Sequence, residues 1–442
     1  MSTGRTLRAT AVLLAVLTAV FGAAPAGPTA SASDEHAAPA AAGWLARQFV
    51  DGNHLEVVFG DQTFPDQGLT ADAVLAFDAA DVSQQFAAAA TTWLAGADVL
   101  PFYVGDGTDE SYPGALAKLA LVAIAQAEDP ATFGGVNLVE RLRARQDAAS
   151  GRFSDRSQYG DFTNGITQSL AIIALRRAGD TAAELTKPVD FLVASRCTDG
   201  GFPLQFGQPT CASDVDTTAF VVQALLAAGR GAGAGSAAGA ALDHLEAVQD
   251  DGGGFGGSGP TSAVNANSTG LAAQALRVGG RAAAADAAVK YLLGQQVGCD
   301  GPDEQRGAIA YDATGFDKST AVRATAQALY GLTGAGLSTI DNKGDAATAP
   351  TLDCAPPSTT SASTTTAGTT TASTTTASTT TASTTTAAPP PAQGIGAGSG
   401  ELPATGGRTG PATALGGLLL LAGAAALLLS RQRRTATGGE RR

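Results

Sequence analysis

The sequence predicts an all-α fold in which about six helical hairpins close into a two-layer ring. Three observations lead to this prediction. Twelve helix-like stretches follow one another between residues 37 and 336. The last four hairpins share an internal repeat whose matched leucines lie about 50 residues apart. Within each hairpin one helix is apolar on most of its surface and the other carries more charge, as expected of an inner and an outer layer.

The twelve stretches pair consecutively into the six hairpins. One short apolar run, Leu55–Phe59, is the only strand candidate, and its length also fits a loop. The helix-like stretches begin near Ala37, Leu69, Ser83, Ser111, Phe133, Phe162, Thr181, Asp216, Ser236, Asn267, Arg281 and Ser319.

Each repeat follows the same order. An outer helix ends in a glycine-rich turn that carries one aromatic residue, and a loop then leads into the apolar inner helix. The aromatic residues are Phe153, Phe202 and Phe255. A polar side chain at the start of the inner helix is expected to cap it by accepting a backbone hydrogen bond. The predicted caps are Asp216, Ser268 and Ser319, and the Asn267-Ser-Thr269 triplet is likewise interpreted as part of a helix start.

The N-terminus has the pattern of a secretory signal peptide. Basic residues precede an apolar run, Ala9–Ala24, and the small residues Ala30-Ser31-Ala32 follow. This order is typical of exported proteins, and the run is shorter than a comfortable membrane span. We therefore expect residues 1–32 to be removed. Residues 33–356 then form the ectodomain, and two further segments follow it.

The four cysteines are expected to form two disulfides, because the chain is predicted to be exported. Cys197 and Cys211 flank one loop and are paired on that ground, which leaves Cys299 for Cys354. Zinc is the alternative, but the three histidines stand at no ligand spacing from a cysteine. No metal site or other cofactor is predicted.

Residues 357–400 are predicted to form an extended stalk. They consist mainly of Thr, Ser and Ala in a five-residue repeat, followed by three prolines. Such a composition buries no core and stays extended. A spacer of this kind suits a domain held away from a cell surface.

Residues 401–442 combine a short motif, an apolar stretch and a basic end. The apolar stretch, Thr409–Ser430, is uncharged and would reach about 33 Å as a helix, enough to cross a bilayer. Arginines after it are expected to stay in the cytoplasm. The motif is made of Leu402, Pro403, Ala404, Thr405 and Gly406.

This C-terminal order resembles the cell-wall sorting signal of Gram-positive surface proteins. The resemblance implies that sortase cuts between Thr405 and Gly406 and joins Thr405 to peptidoglycan. The chain would then span the membrane only before cleavage and end as a cell-wall protein on the bacterial surface. An ordinary single-span membrane anchor is the alternative.

The charge of the chain argues against one class of partner. The formal net charge is −13 at pH 7. Nucleic-acid binding needs a basic surface to neutralise phosphates, so nucleic acid is a poor candidate. The acidity suits a soluble domain and weak binding of cations.

The repeats resemble the α/α toroid domains of the prenyltransferase and squalene-cyclase repeat superfamily. The resemblance covers residues 37–336 and is clearest in the last four units. It implies a terpenoid cyclase-like α/α toroid, and it says little about function. The residues that carry it are Gly151–Phe153, Gly200–Phe202, Gly252–Gly256 and the helix start Asp214–Ala219.

A class II terpene cyclase in this superfamily needs an Asp-x-Asp-Asp acid and aromatic residues that stabilise a carbocation. Asp214-Val215-Asp216 matches the first three positions, but Thr217 holds the fourth. Only 5% of the chain is aromatic. Asp214 and Asp216 are therefore weak catalytic candidates, and a helix cap explains Asp216 better.

Three other members of the superfamily make different demands. A prenyltransferase needs an Asp/Cys/His zinc site, which the histidine positions do not supply. A thioester protein needs cysteine and glutamine three residues apart, whereas Cys299 and Gln305 stand six apart. A corrinoid carrier is the most compatible, although it traps its ligand against a second β-domain that the sequence does not predict.

Two classes of function follow. The first is a binding module on the cell wall, whose ring mouth holds a small molecule or a protein partner. Asp214, Asp216 and the loops 154–161, 203–213 and 256–265 are its predicted rim.

The second is a wall-bound enzyme that uses Asp214 and Asp216 as acid residues on an isoprenoid or a polysaccharide. A carbohydrate-active toroid would also need opposed carboxylates and aromatic residues that stack on sugar rings. The aromatic candidates are Trp44, Trp93, Tyr103, Tyr112, Tyr159 and Phe206.

Overall fold

The computed structural model describes residues 36–59, 62–352 and 354. The predicted signal peptide, stalk and sorting signal lie outside these residues. Thirteen α-helices in the described part form a two-layer ring, and strand content is small. The predicted all-α toroid is thereby confirmed.

Six inner helices form the closed ring. Each packs against the next in chain order, and the last packs against the first. They are α2 (Gln67–Ala79), α5 (Pro113–Ala125), α7 (Gly165–Arg177), α9 (Val215–Ala227), α11 (Ala266–Val278) and α13 (Lys318–Thr333).

Six outer helices pack on the outside of this ring, one for each hairpin. All twelve predicted stretches are therefore present, each beginning within a few residues of its predicted start. The outer helices are α1 (Ala37–Ala46), α3 (Gln84–Leu94), α6 (Leu138–Arg143), α8 (Thr186–Ala194), α10 (Ala237–Val248) and α12 (Ala282–Gln295).

One short helix and the second of two short hairpins were not predicted. Helix α4 spans Leu100–Val104, and its five residues are too few to show a helical period. The candidate strand run is a strand, since β1 (Glu56–Phe59) pairs antiparallel with β2 (Gln62–Pro65). A second hairpin pairs β3 (Phe255–Gly256) with β4 (Val264–Asn265) around a 3₁₀ turn.

Small residues let the inner helices approach closely. A Cβ atom added at Gly270 on α11 would lie 2.3 Å from the backbone oxygen of Gln327 on α13. Alanine and leucine fill most of the remaining positions between the inner helices, and nearly all of them are fully buried. The centre of the molecule is therefore packed with short side chains, which explains why few aromatic residues are needed.

A repeated side-chain hydrogen bond joins each turn to the inner helix that follows it. The buried aromatic residues Phe153, Phe202 and Phe255 sit in these turns as predicted. Their backbone N–H groups donate to a side-chain oxygen on the inner helix, and two further units do the same. The donor and acceptor pairs, at 2.9–3.0 Å, are Leu55–Thr70, Phe153–Gln168, Phe202–Thr218, Phe255–Thr269 and Ile309–Thr325.

The predicted helix caps are wrong by two or three residues. Asp216, Ser268 and Ser319 already lie in the first turn of their helices. The residues that cap have extended backbone and precede them: Asp214 accepts from Thr217 N, Asn265 from Ser268 N and Asp317 from Ser319 N. Asn267 is consequently inside α11 and is free of the capping role expected of it.

Both predicted disulfides are confirmed. Cys197 pairs with Cys211 and Cys299 pairs with Cys354, with Cα–Cα distances of 5.5 and 5.4 Å. Within residues 36–59, 62–352 and 354, no helix is long and apolar enough to cross a membrane. The predicted span Thr409–Ser430 lies outside that part of the chain.

The residues after α13 form a strap, here residues 334–352 and 354, across the C-terminal ends of the inner helices. Arg177 on α7 donates to the carbonyl oxygens of Leu337 and Ile340 at 3.0 and 2.6 Å. Gln223 on α9 accepts from Leu337 N at 2.9 Å. The strap thus covers one end of the ring, and its last described residue is held by the second disulfide.

Candidate functional site

The N-terminal ends of the inner helices gather at the end of the ring opposite the strap, which we call the mouth. Each helix start there contacts the loop that precedes a neighbouring inner helix. Gly165 N donates to Leu204 O at 2.9 Å, and Ala266 N donates to Tyr311 O at 2.7 Å. Side chains in the first turns of the inner helices therefore lie together at this end of the ring.

Asp214 is fixed at the mouth by its capping role. It is 4% exposed. Its Oδ1 accepts from the backbone N and the hydroxyl of Thr217 at 2.7 and 2.6 Å. Its Oδ2 accepts from the hydroxyl of Ser258, at 2.7 Å, in the loop before α11. With both oxygens satisfied, Asp214 is held in place as the cap of α9.

Asp216 has the opposite environment. Its Oδ1 is shielded from solvent and has no hydrogen-bond partner among the residues that the structure describes. Burial, and then the negative charge of Asp214, raise the pKa of Asp216 to about 7, while the nearby Ser268 hydroxyl acts in the other direction. A substantial share of Asp216 is therefore protonated at neutral pH and can donate a hydrogen bond or a proton.

Asn267 supplies a second unsatisfied atom at the mouth. It stands two residues after the cap of α11, as Asp216 does on the neighbouring α9, and its Oδ1 is also shielded without a partner. Tyr311 completes the group, because burial and the charges of Asp216 and Asp312 raise the pKa of its phenol. The sequence pattern identified Asp216 but missed Asn267 and Tyr311, which lie in other repeats.

A charged cluster lies on the other side of the mouth. Lys118 on α5 pairs with Asp72 on α2 at 2.6 Å, and Arg323 on α13 pairs with the α2 cap Asp66 at 2.9 Å. The phenol of Tyr103 lies among them, and burial raises its pKa to about 12. This cluster was not predicted, because its members come from four helices that are distant in sequence.

The three predicted rim loops have different positions. Ser258, in loop 256–265, contacts Asp214 directly. Loop 154–161 contains Asp155, whose pKa is raised to about 6 by burial. Loop 203–213 lines a separate cleft of about 380 Å³ beside the first disulfide, with Phe206 against Phe191 at 5.0 Å.

The predicted aromatic candidates do not form one sugar-stacking platform. Trp44 packs edge-on against Phe316 in the core, and Trp93 stacks on His54 at 4.7 Å. Tyr112 donates to Glu110 at 2.6 Å, whereas Tyr159 is exposed. Across the described ranges, no group of three or more His, Cys, Asp or Glu side chains is arranged to hold a metal ion.

Comparison with known proteins supports the fold. No family model matches the sequence, and no curated protein matches it either. A variant of the type II terpene cyclase MstE from Scytonema, bound to geranylgeranyl dihydroxybenzoate, matches with a TM-score of 0.50 at 13% identity, over 68% of this chain and 96% of that one.

Two further solved structures match less closely. A protein from Actinoplanes has a TM-score of 0.48 at 15% identity, over 68% of this chain and 99% of that one. A possible member of the GH105 family from Salmonella enterica has a TM-score of 0.43 at 13% identity, over 70% and 95%. Sequence identities this low carry no information about the function of this chain, which must be argued from the mouth itself.

Proposed function

We propose that this chain is a secreted surface protein, joined to peptidoglycan by sortase through Thr405, and that the mouth of its toroid binds a small molecule. The first part is supported by the order of signal peptide, ectodomain, stalk, Leu402–Gly406 motif, apolar stretch and basic end. The second part is supported by the unsatisfied polar atoms at the mouth.

The observation that carries the binding proposal is the pair of shielded oxygens on Asp216 and Asn267. Leaving a buried polar atom without a partner costs about 1–3 kcal/mol, so a ligand that satisfies both gains affinity. Protonated Asp216 donates, and the amide oxygen of Asn267 accepts. The matching ligand is uncharged and carries both a hydrogen-bond acceptor and a donor, such as a carbonyl beside a hydroxyl.

The second candidate function is acid catalysis at the same place. Three hydrogen bonds hold the carboxyl group of Asp214 in place, while burial and the charge of Asp214 raise the pKa of Asp216 to about 7. A carboxyl group with a raised pKa beside a second, hydrogen-bonded carboxyl group is a usual arrangement of an acid and a stabilising group. Thr217 holds the place of the fourth acid residue of a cyclase, and its hydroxyl donates to Asp214 instead.

One experiment tests both parts of the proposal. The full-length chain is expressed in a Gram-positive host that has sortase, released from the wall with a muramidase and measured by native mass spectrometry. We expect a polypeptide that ends at Thr405, carries a peptidoglycan fragment and holds an additional mass that is lost on unfolding. That mass identifies the ligand class, a corrinoid included.

Variants separate the possible outcomes. Asp216→Ala should lose the non-covalent mass and keep the wall fragment, whereas Asp98→Ala, in an exposed loop, should keep both. Absence of the protein from the wall fraction would refute anchoring. A wall-linked polypeptide that carries no ligand would refute binding. The side chain of Asn in Asp216→Asn can donate a hydrogen bond but cannot transfer a proton. A non-covalent ligand mass that differs between this variant and the wild type would therefore favour catalysis.

A further inference from the structure

A second group of unsatisfied oxygens lies where the strap meets the end of α2. Six buried side-chain oxygens lack a hydrogen-bond partner within the described residues, and two of them belong to the mouth. The other four are Asp78 Oδ2, Ser83 Oγ and both carboxylate oxygens of Asp345. Asp78 is 2% exposed and Ser83 is 0% exposed, so water has little access to these atoms.

Backbone contacts bring these residues together. Ser83 lies in the turn between α2 and α3. Ala346 N donates to Asp81 O at 2.9 Å in that turn, and Gln84 N donates to Ala346 O at 3.1 Å. Asp345 on the strap therefore stands beside the turn, and its charge acts on Asp78.

The charges at this junction are mainly negative. Asp78 faces Asp345 and Asp341, and Asp345 also faces Asp81 and Asp341. Arg177 is the cation that faces Asp78, and two of its nitrogens are engaged by strap carbonyl groups. Lys343 pairs with Asp341 at 2.8 Å. Gln126 donates to Asp78 Oδ1 at 2.6 Å, which leaves Oδ2 unsatisfied.

We propose that Asp78, Ser83 and Asp345 bind a hard divalent cation, Ca²⁺ or Mg²⁺, which clamps the strap to the ring. All four unsatisfied atoms are oxygens, the donor type that these ions prefer. Since three carboxylates do not converge here, the ion would be held by two carboxylates and one hydroxyl, with water in its other positions. Such partly hydrated sites bind weakly and suit the millimolar Ca²⁺ outside cells.

Thermal unfolding of the full-length chain tests the clamp. At pH 8, adding CaCl₂ or MgCl₂ to millimolar excess over EDTA should raise the Tm of the wild type by about 2–4 °C. Comparing the two salts identifies the preferred ion. Asp345→Asn should abolish the rise, and Asp98→Asn, at an exposed position, should keep it.

Calorimetric titration of each salt into the native protein separates loss of binding from loss of folding. A heat of binding in the wild type that is at least ten-fold weaker in Asp345→Asn would support the site. A Tm that no divalent cation changes, or a rise that Asp345→Asn retains, would overturn it. Success or failure here is independent of ligand binding at the mouth.

Discussion

Thr218 illustrates how a single side chain sets the geometry of a repeat. Its hydroxyl accepts from Phe202 N at 2.9 Å and donates to Asp214 O at 2.7 Å. Phe202 and Thr218 are both fully buried. The bond fixes the aromatic turn on the inner helix and so places Asp214 and Asp216 at the mouth.

Thr218→Val keeps the shape of the side chain and removes both hydrogen bonds. Because the N–H of Phe202 is then left buried without a partner, we expect the free energy of unfolding to fall by about 1–3 kcal/mol. Urea denaturation followed by circular dichroism measures the change. Thr218→Ser should recover most of the loss, and Thr92→Val, on the exposed side of α3, should change stability by less than about 0.5 kcal/mol. A Thr218→Val variant as stable as the wild type would contradict this role.

The site could be predicted only in part at the residue scale. Both Asp214 and Asp216 were identified from the repeat, but the capping role was predicted for Asp216 and belongs to Asp214. Residue types alone do not show where extended backbone becomes helix. Asn267 was interpreted as part of a helix start and missed as a site residue. Its unsatisfied oxygen depends on the packing of α11 against α9, which no local pattern records.

At the scale of elements, the sequence predicted the helices well. An apolar inner helix and a more charged outer helix differ in composition along their whole length, so twelve of them are visible without a structure. Helix α4 and the β3–β4 hairpin were missed because they are too short to show a period. The charged cluster of Asp66, Asp72, Lys118 and Arg323 was missed because ring closure assembles it.

Gly270 tests how closely the inner helices approach. In Gly270→Ala the new methyl group would overlap the backbone of α13, so the two helices must move apart, at a cost of about 1–3 kcal/mol. Gly294 on α12 is a matched control, because a Cβ there meets nothing within 4 Å. Gly294→Ala should stabilise the protein by about 0.4–1 kcal/mol. Equal effects of the two substitutions in thermal unfolding would show that α11 and α13 do not pack as described.

At the scale of the whole molecule, closing the ring joins the first and last units of the part that the structure describes. Trp44 Nε1 donates to Glu304 O at 2.9 Å, and the Tyr330 hydroxyl donates to Asp72 O at 3.0 Å. The strap then crosses the ring and ends at Cys354, which is bonded to Cys299 in the loop before α13. Hairpin number and disulfide pairing were predictable from the sequence, but the course of the strap was not. Side chains of the inner helices hold it by its backbone groups, which leave no residue pattern in the strap itself.

Ligand binding and acid catalysis at the mouth both depend on a carboxyl group that remains partly protonated near neutral pH. The most direct test is a carbon-13 NMR titration of aspartate carboxyl groups in the ligand-free protein, with the Asp216 signal assigned by its loss in Asp216→Asn. We expect this signal to titrate with a midpoint near 7. A midpoint near 4, the ordinary value for aspartate, would mean that Asp216 is ionised and solvated, and would contradict both the binding and the catalytic role proposed for it.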